Sequence, residues 1–433
     1  MNKFKQSDDP DAIHNPFRPG AGHTPPYLAG RDDESREFQR ILAQDTILDN
    51  LVLTGLLGIG KTVLLDTFKP LAIESGWLWA GTDMSESTSV TEENIATRLL
   101  TDLSVVTSSL VIETVPARNV GFAGADPAPQ SDETFHYPML KWIYETTPGL
   151  VSDKLKAVLE SVWPYVEAGG KRGIVFAYDE AQNLADQAAK QQYPLSLLLD
   201  VFQSLQRKGI RMMLALAGLP TLFPKLVEAR PYAERMFQTI FLNPLTESET
   251  AEAIKRPLDA VPRCPFKVGP GSIKYIWTIT RGYPYFVQYI CRESFDVLLQ
   301  AIRGGRPMRS IPIREILRKL DSDFFAGRWA RATDRQRTLL EIVAQLPDAN
   351  NEFSVLEIIE SQSNKALARP FSGSHVNQMF GMLAEAGIIY KSRHGRYSFA
   401  VPLFADFIRR QLEPPEPPPR FTLPPLSPGT LQQ

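Results

Sequence analysis

A chain of 433 residues has the length of two or three domains, and its 43% hydrophobic content is enough to fill real cores. The net charge of −2 excludes a generally basic nucleic-acid coat and leaves only a local basic patch for that role. Two cysteines, Cys264 and Cys291, and five scattered histidines without Cys-x-x-Cys or His-x-x-x-His spacing exclude a metal cluster of these side chains alone. The first residues lack the apolar core of a signal peptide. No apolar run reaches the roughly 18 residues that span a bilayer. A cytoplasmic, reducing setting without a membrane is therefore expected.

In chain order, residues 1–27 read as an extended polar arm that ends in Pro25-Pro26. Tyr27-Leu-Ala-Gly30-Arg31-Asp-Asp-Glu34 then leads into an amphipathic helix with Phe38, Ile41 and Leu42 on one face. An arm and turn just ahead of the next strand are placed to cover a nucleotide base. Arg31 has two readings there, a contact to ribose or phosphate and a surface arginine beside a glycine turn.

The most informative stretch follows. Leu51 to Leu53 reads as a short apolar strand running into Gly55-x-x-x-x-Gly60-Lys61-Thr62. Glycines at 55, 58 and 60 let backbone N–H groups turn inward around a polyphosphate, which a side chain at Gly58 or Gly60 would obstruct. Ile59 and Val63 lie within the same cradle. Lys61 is typed for the β- and γ-phosphate oxygens and the Thr62 hydroxyl for Mg²⁺. The helix that begins here presents its positive end to the phosphates. The pattern arises by chance in a chain of this length on the order of 1% of the time.

Gly76 to Thr82 is a second strand, Ser85 to Leu103 a helix, 104 to about 135 an irregular insertion, and Leu150 to Ala168 a helix. Ile174 to Tyr178 is a continuous apolar run that ends in Asp179-Glu180, as in a parallel strand buried on both faces. Beside a P-loop, Asp179 is expected to hold Mg²⁺ through water and Glu180 to polarise the attacking water. Pro194 to Lys208 is helical, and Ile210 to Gly218 is a strand whose tip, Ala217-Gly218, lacks a polar residue, with Thr221 as a fallback. Arg235, or Arg230, precedes a last strand, Gln238 to Leu242, and is placed to reach a γ-phosphate in the same or a neighbouring subunit. A salt-bridged surface arginine is the plain alternative. The alternation from 51 to 242 is the signature of a parallel α/β sheet with its ligand at the carboxyl ends of the strands.

From 243 the pattern is helical. Thr246-Glu-Ser-Glu249 is a capping box, Ser272 to Thr280 is a helix, and Arg281-Gly-Tyr-Pro284 opens another, with Tyr283 and Pro284 placed to touch the base. A lid over 243–320 is expected, with 303–312 as a linker. Helices over Thr333–Leu346, Phe353–Ile359 and Ser374–Ala386, then a hairpin from Ile388 to Ala400, then a helix from Pro402 to Leu412 make a winged helix-turn-helix over 330–412. Lys391, Arg393, His394 and Arg396 sit at its wing tip and could grip the phosphates of duplex DNA, whereas the third helix offers mainly His375, Asn377 and Gln378 and no basic residue, which leaves an interdomain or protein-docking wing as the alternative. Residues 413–433 form a proline-rich, disordered tail with two P-x-x-P matches, Pro415–Pro418 and Pro425–Pro428.

Taken together, PPYLAGRDDE, TGLLGIGKT, IVFAYDEAQNL, LALAGLP, YAERMF and RGYPYFVQYI, followed by the winged helix, resemble AAA+ ATPases of the origin-recognition-complex-like group and the related signal-transduction ATPases with numerous domains. The resemblance spans about residues 13 to 412. It implies ATP at Gly58, Gly60, Lys61 and Thr62, Mg²⁺ at Thr62 and Asp179, and Glu180 as the base. It further implies Arg31 and Pro284 near the nucleoside, and Arg235 as an arginine finger in a homo-oligomer. Three features depart from it: the apolar tip after Ala217, Gly-Tyr-Pro where a sensor arginine is common, and the long gap between Lys61 and Asp179. The functional expectation is an ATP-binding and hydrolysing switch, slow or partner-stimulated, that moves the winged helix against DNA or a protein. The alternatives are a DNA-loading, replication- or transposition-type regulator and a protein-docking signalling or defence ATPase.

Overall fold

The computed structural model describes residues 13–20, 22–85, 91–108, 110–116, 130–262, 264–265, 267–305 and 311–412. The expected proline-rich tail lies outside them.

The first half is a parallel sheet. Helix α1 (Asp32–Leu42) precedes β1 (Asn50–Thr54), α2 (Lys61–Glu74), β2 (Trp77–Ala80) and α3 (Glu92–Thr107). After a two-stranded ribbon, β3 (Val111–Pro116) with β4 (Gln130–Thr134), come α4 (Tyr137–Thr146), α5 (Val151–Ala168), β5 (Gly173–Tyr178), α6 (Pro194–Arg207), β6 (Met212–Gly218), α7 (Leu222–Ala229) and β7 (Phe237–Phe241). The five-stranded sheet has the order β2-β5-β6-β1-β7, and every pairing is parallel. β1, β5 and β6 are buried at every position. Their side chains alternate between the two faces, as a pleat of period two requires. Val52, Phe176 and Leu214 pack with α3, α5 and α6, while Leu51, Leu53, Val175 and Met213 pack with α1 and α2. On that second face Phe38 stacks on Phe68 with ring centroids 4.2 Å apart.

Two sequence expectations change here. The helix read from Ser85 starts at Glu92, because the Thr91 side chain accepts from Asn94 N–H and caps it there. The segment read as irregular from 104 to about 135 holds the last turn of α3 and the β3–β4 ribbon. Strands of six and five residues, one mostly apolar and one polar, give no common alternation to read. α10 runs to Arg303 and the next helix begins at Ile313, on either side of the linker expected over 303–312.

The second half is helical. Helices α8 (Glu247–Asp259), α9 (Pro270–Thr280) and α10 (Pro284–Arg303) follow the sheet, and Thr246 and Glu249 form the expected capping box on α8. Next come α11 (Ile313–Leu320), a π-helical turn over Asp321–Phe325, and α12 (Ala326–Trp329). The C-terminal part is α13 (Asp334–Gln345), α14 (Val355–Glu360), α15 (Gln362–Lys365), α16 (Gly373–Glu385), an antiparallel hairpin of β8 (Ile389–Arg393) and β9 (Arg396–Phe399), and α17 (Phe404–Leu412). One continuous core joins α8–α10 to this part, running from Phe286 through Phe325 to Phe404 and Phe407. Its aromatic pairs include Phe325 stacked with Phe407 at 5.2 Å. Residues 13–20 lie along α10. Asn15 Nδ2 donates to Arg292 O and Asp296 Oδ1, and Phe17 is buried in that core.

Candidate functional site

The loop between β1 and α2 is shaped by its glycines. Gly60 adopts φ +96° and caps α2, with nothing within 4 Å of where a Cβ would stand, so it is the backbone conformation that selects glycine there. Gly58, at φ +75°, carries the lid: its carbonyl accepts from Tyr285 N–H at 3.1 Å, and an added Cβ would meet Tyr285 Cβ at 3.0 Å. Lys61 Nζ folds over the loop and donates to the carbonyls of Gly55 at 3.0 Å and Leu56 at 3.2 Å. Burial lowers the Lys61 pKa, which Asp179 and Glu180 partly oppose. An ammonium held in a partly desolvated loop gains by exchanging neutral carbonyls for an anion.

The acids stand one strand further on. β6 separates β1 from β5, yet the Thr62 hydroxyl donates to Asp179 Oδ2. Lys61 and Asp179 therefore belong to one site at the carboxyl edge of the sheet. Glu180 follows with φ +52°, a left-handed conformation uncommon for a non-glycine residue. Gln182 was not singled out in the sequence. Its Nε2 donates to Glu180 Oε2, and its Oε1 accepts from Leu219 N–H at 3.1 Å at the tip of β6. Lys225 Nζ donates to the Gln182 carbonyl at 2.8 Å. Gln182, in the turn that follows β5, thus places a polar side chain against the tip of β6, while Thr221 starts α7 without a side-chain cap bond.

A cavity of about 420 Å³ opens over these residues. Gly58, Ile59, Gly60, Lys61, Thr62, Val63, Arg31, Glu180 and Pro284 all line it. Gly55 does not: a Cβ there would meet Ile59 Cγ2 at 2.9 Å, so this glycine serves the packing behind the loop. Tyr283 is also not part of the wall. It is packed in the core, and burial first, with Tyr390 nearby, pushes its hydroxyl up to about 12. The arm contributes a wall from Arg18 to Ala29, and Tyr27 is clamped to α8 by Glu252 at 2.7 Å and by the Arg256 guanidinium over its ring. Arg31 is buried rather than superficial. Its Nη2 donates to Ile59 O at 3.2 Å and Asn243 O at 2.9 Å, stitching the arm's turn to the loop and to the chain after β7.

Arg235 lies elsewhere. It precedes β7, whose first residue, Phe237, pairs with Asn50 at the start of β1. That is the amino edge of the sheet, about 13 Å along β1 from the loop at 3.3 Å per residue. Arg235 is exposed there and stands outside its own chain's cavity. Arg230 is engaged by Asp200, with Nε at 2.8 Å from Oδ1. At the hairpin, Arg393 pairs with Glu352 at 2.8 Å and Arg396 with Glu357 at 2.8 Å, so two of the four residues singled out there already face carboxylates. Among the described residues no group of three or more His, Cys, Asp or Glu could hold a metal ion, and no helix is long and apolar enough to cross a membrane.

A glycine loop opening a helix, an Asp–Glu pair two strands away and the order β2-β5-β6-β1-β7 give the chain a fold of the AAA+ kind. Its structural neighbours include archaeal ORC and Cdc6 proteins. The chain is similar to the Aeropyrum pernix ORC2 protein in its ADPNP-ADP complexes, at 13% identity and a TM-score of 0.51 over 91% of this chain and 98% of that one. The ADP form of the same protein gives 14% identity and 0.52 over 91% and 97%. Cdc6p from Pyrobaculum aerophilum gives 16% identity and 0.45 over 91% and 98%. The family described as Domain of unknown function (DUF8462) matches residues 322–408. No curated protein matches the chain.

Proposed function

We propose that this chain is an ATP-driven molecular switch. The observation that carries the reading is the Thr62–Asp179 hydrogen bond beside Lys61, with Glu180 on the wall of the same cavity. Gly58, Ile59, Gly60, Thr62 and Val63 wrap the phosphates, Lys61 neutralises them, and Arg31 with Pro284 and the arm encloses the nucleoside. The Thr62 hydroxyl and Asp179 fit a magnesium ion, which would take its other ligands from phosphate oxygens and water and neutralise charge on the phosphates. Glu180 orients the attacking water. The working parts are an arm over 1–27, the ATPase core over 28–242, a lid over 243–320, and a winged helix over 330–412 joined to the lid by α11 and α12. The tail over 413–433 carries no assigned role.

ATP draws the lid, already bonded to the loop through Tyr285 N–H, onto the sheet and with it the winged helix. The ion pairs at Arg393 and Arg396 favour a protein as the winged helix's partner. The polar exposed face of α16, with His375, Asn377 and Gln378, keeps a DNA-loading role as the second reading.

The test is nucleotide binding and turnover by the full chain. Lys61→Ala loses ATP binding, and Glu180→Gln retains ATP while turnover falls at least about a hundredfold. Normal turnover by Glu180→Gln rejects the assignment of the base. Turnover stimulated by duplex DNA, together with a salt-dependent shift of labelled duplex in ATP, selects the second reading over protein docking.

A further inference from the structure

The cavity has a wall that the P-loop, the arm and the lid do not explain. Phe324 and Arg328 line it, from the π-helical turn and α12. They are four residues apart, so they share one helical face. Arg328 Nη1 donates to Phe324 O at 2.7 Å, and its guanidinium lies 4.7 Å from the centre of the Phe324 ring. Among the described residues Arg328 has no carboxylate partner. The other cations of the cavity are committed or exposed. Arg31 is spent on carbonyls and Glu34, Lys61 belongs to the loop, and Arg18 is exposed. Burial is the first cause lowering the Arg328 pKa, followed by the charge of Arg331. A half-buried guanidinium without an anion is a costly arrangement, relieved by an anion brought into the same cavity.

The segment bearing Arg328 is tied to both ends of the molecule. Tyr285, whose N–H holds Gly58 of the loop, lies 5.0 Å from Phe324 ring to ring. Tyr289 donates to Asp323 Oδ2 at 2.9 Å. From the other side Arg410 of α17 donates to Asp321 Oδ2 at 2.9 Å, and Phe407 stacks on Phe325. π-Helical turns inside helices are rare and concentrate at functional sites.

We propose that Arg328 is a nucleotide-binding residue, its guanidinium contacting the phosphate chain of a nucleoside triphosphate held in the P-loop cavity. This rests on the ATP reading above and adds to it. The site is then built from two parts of the chain, and the C-terminal part senses nucleotide through a residue of its own rather than through the lid alone.

The experiment measures ATP and ADP affinity of the full chain by direct titration. It uses the wild type, Arg328→Ala, Arg328→Lys, Arg331→Ala and Lys61→Ala. Loss of a charged hydrogen bond weakens ATP binding about tenfold to a hundredfold in Arg328→Ala. ADP loses less, so the preference for ATP narrows, and Arg328→Lys recovers part of it. Arg331→Ala removes only a neighbouring charge and stays within about threefold. ATP raises the melting midpoint of the wild type, and Arg328→Ala loses most of that rise. The proposal is overturned if Arg328→Ala keeps wild-type affinity and ATP preference while Lys61→Ala does not bind. It is equally overturned if Arg331→Ala matches the loss in Arg328→Ala. A wild-type chain that binds neither nucleotide removes the ATP reading itself, and this inference with it.

Discussion

At the scale of single residues, the site combines an ordinary P-loop with an unusual support for its acid. Glu180 sits in a left-handed conformation with its carboxylate held by Gln182 Nε2, and Gln182 Oε1 is anchored by Leu219 N–H. Removing the amide frees the carboxylate to sample rotamers away from the position proposed for orienting water. Gln182→Ala is expected to lower turnover about tenfold with ATP affinity within about twofold, because it acts on positioning and not on the phosphate cradle. Steady-state kinetics beside equilibrium titration check this, and unchanged turnover would assign the amide a packing role only.

At the scale of elements, the junction between sheet and lid depends on a backbone conformation. Gly282 has φ +72°, and an added Cβ would stand 2.0 Å from Leu245 O, which follows β7. Leu245 N–H donates to Gly282 O at 2.8 Å, so the turn before α10 is clamped against the end of the sheet. Gly282→Ala forces the two segments apart and imposes a strained φ, at a cost of about 1–3 kcal/mol. Urea denaturation reads that loss. Because α10 carries Pro284 and Tyr285 onto the P-loop, nucleotide affinity should fall with it, and a variant that loses stability without losing affinity would show that the lid docks independently of this turn.

At the scale of the whole molecule, Arg235 is exposed and outside its own chain's cavity. The proposed finger role therefore requires a neighbouring copy. Mixing Arg235→Ala with Glu180→Gln subunits should restore part of the turnover that each lacks alone, since some interfaces then combine an intact arginine with an intact acid. No recovery at any mixing ratio would retire the shared-site role. Coupling across the molecule is expected to run through the π-helical turn, which touches the lid through Tyr289 and α17 through Arg410.

Much of the site was legible in the chain because its chemistry is local. Gly55 to Thr62 is one contiguous loop, and Asp179-Glu180 ends a strand whose apolar run announces burial on both faces. The capping box at Thr246 likewise lies within four residues. The β3–β4 ribbon stayed hidden because its two short strands share no common pattern, and α11 and α12 because eight and four residues are too few to set a helical period. Gln182, Tyr285, Phe324 and Arg328 stayed hidden because their meaning depends on chain segments brought together from far apart. By itself, then, the sequence determined the glycine loop before a helix, the paired acids at a strand end and the alternation that makes a parallel sheet, since hydrophobic period and glycine geometry act over a few residues. Only the tertiary structure decided that Arg31 is a buried brace, that the wing arginines face glutamates, that Arg235 sits on the far edge, and that an arginine from the C-terminal part reaches the cavity. Those outcomes depend on which surfaces pack together, and no local pattern encodes that.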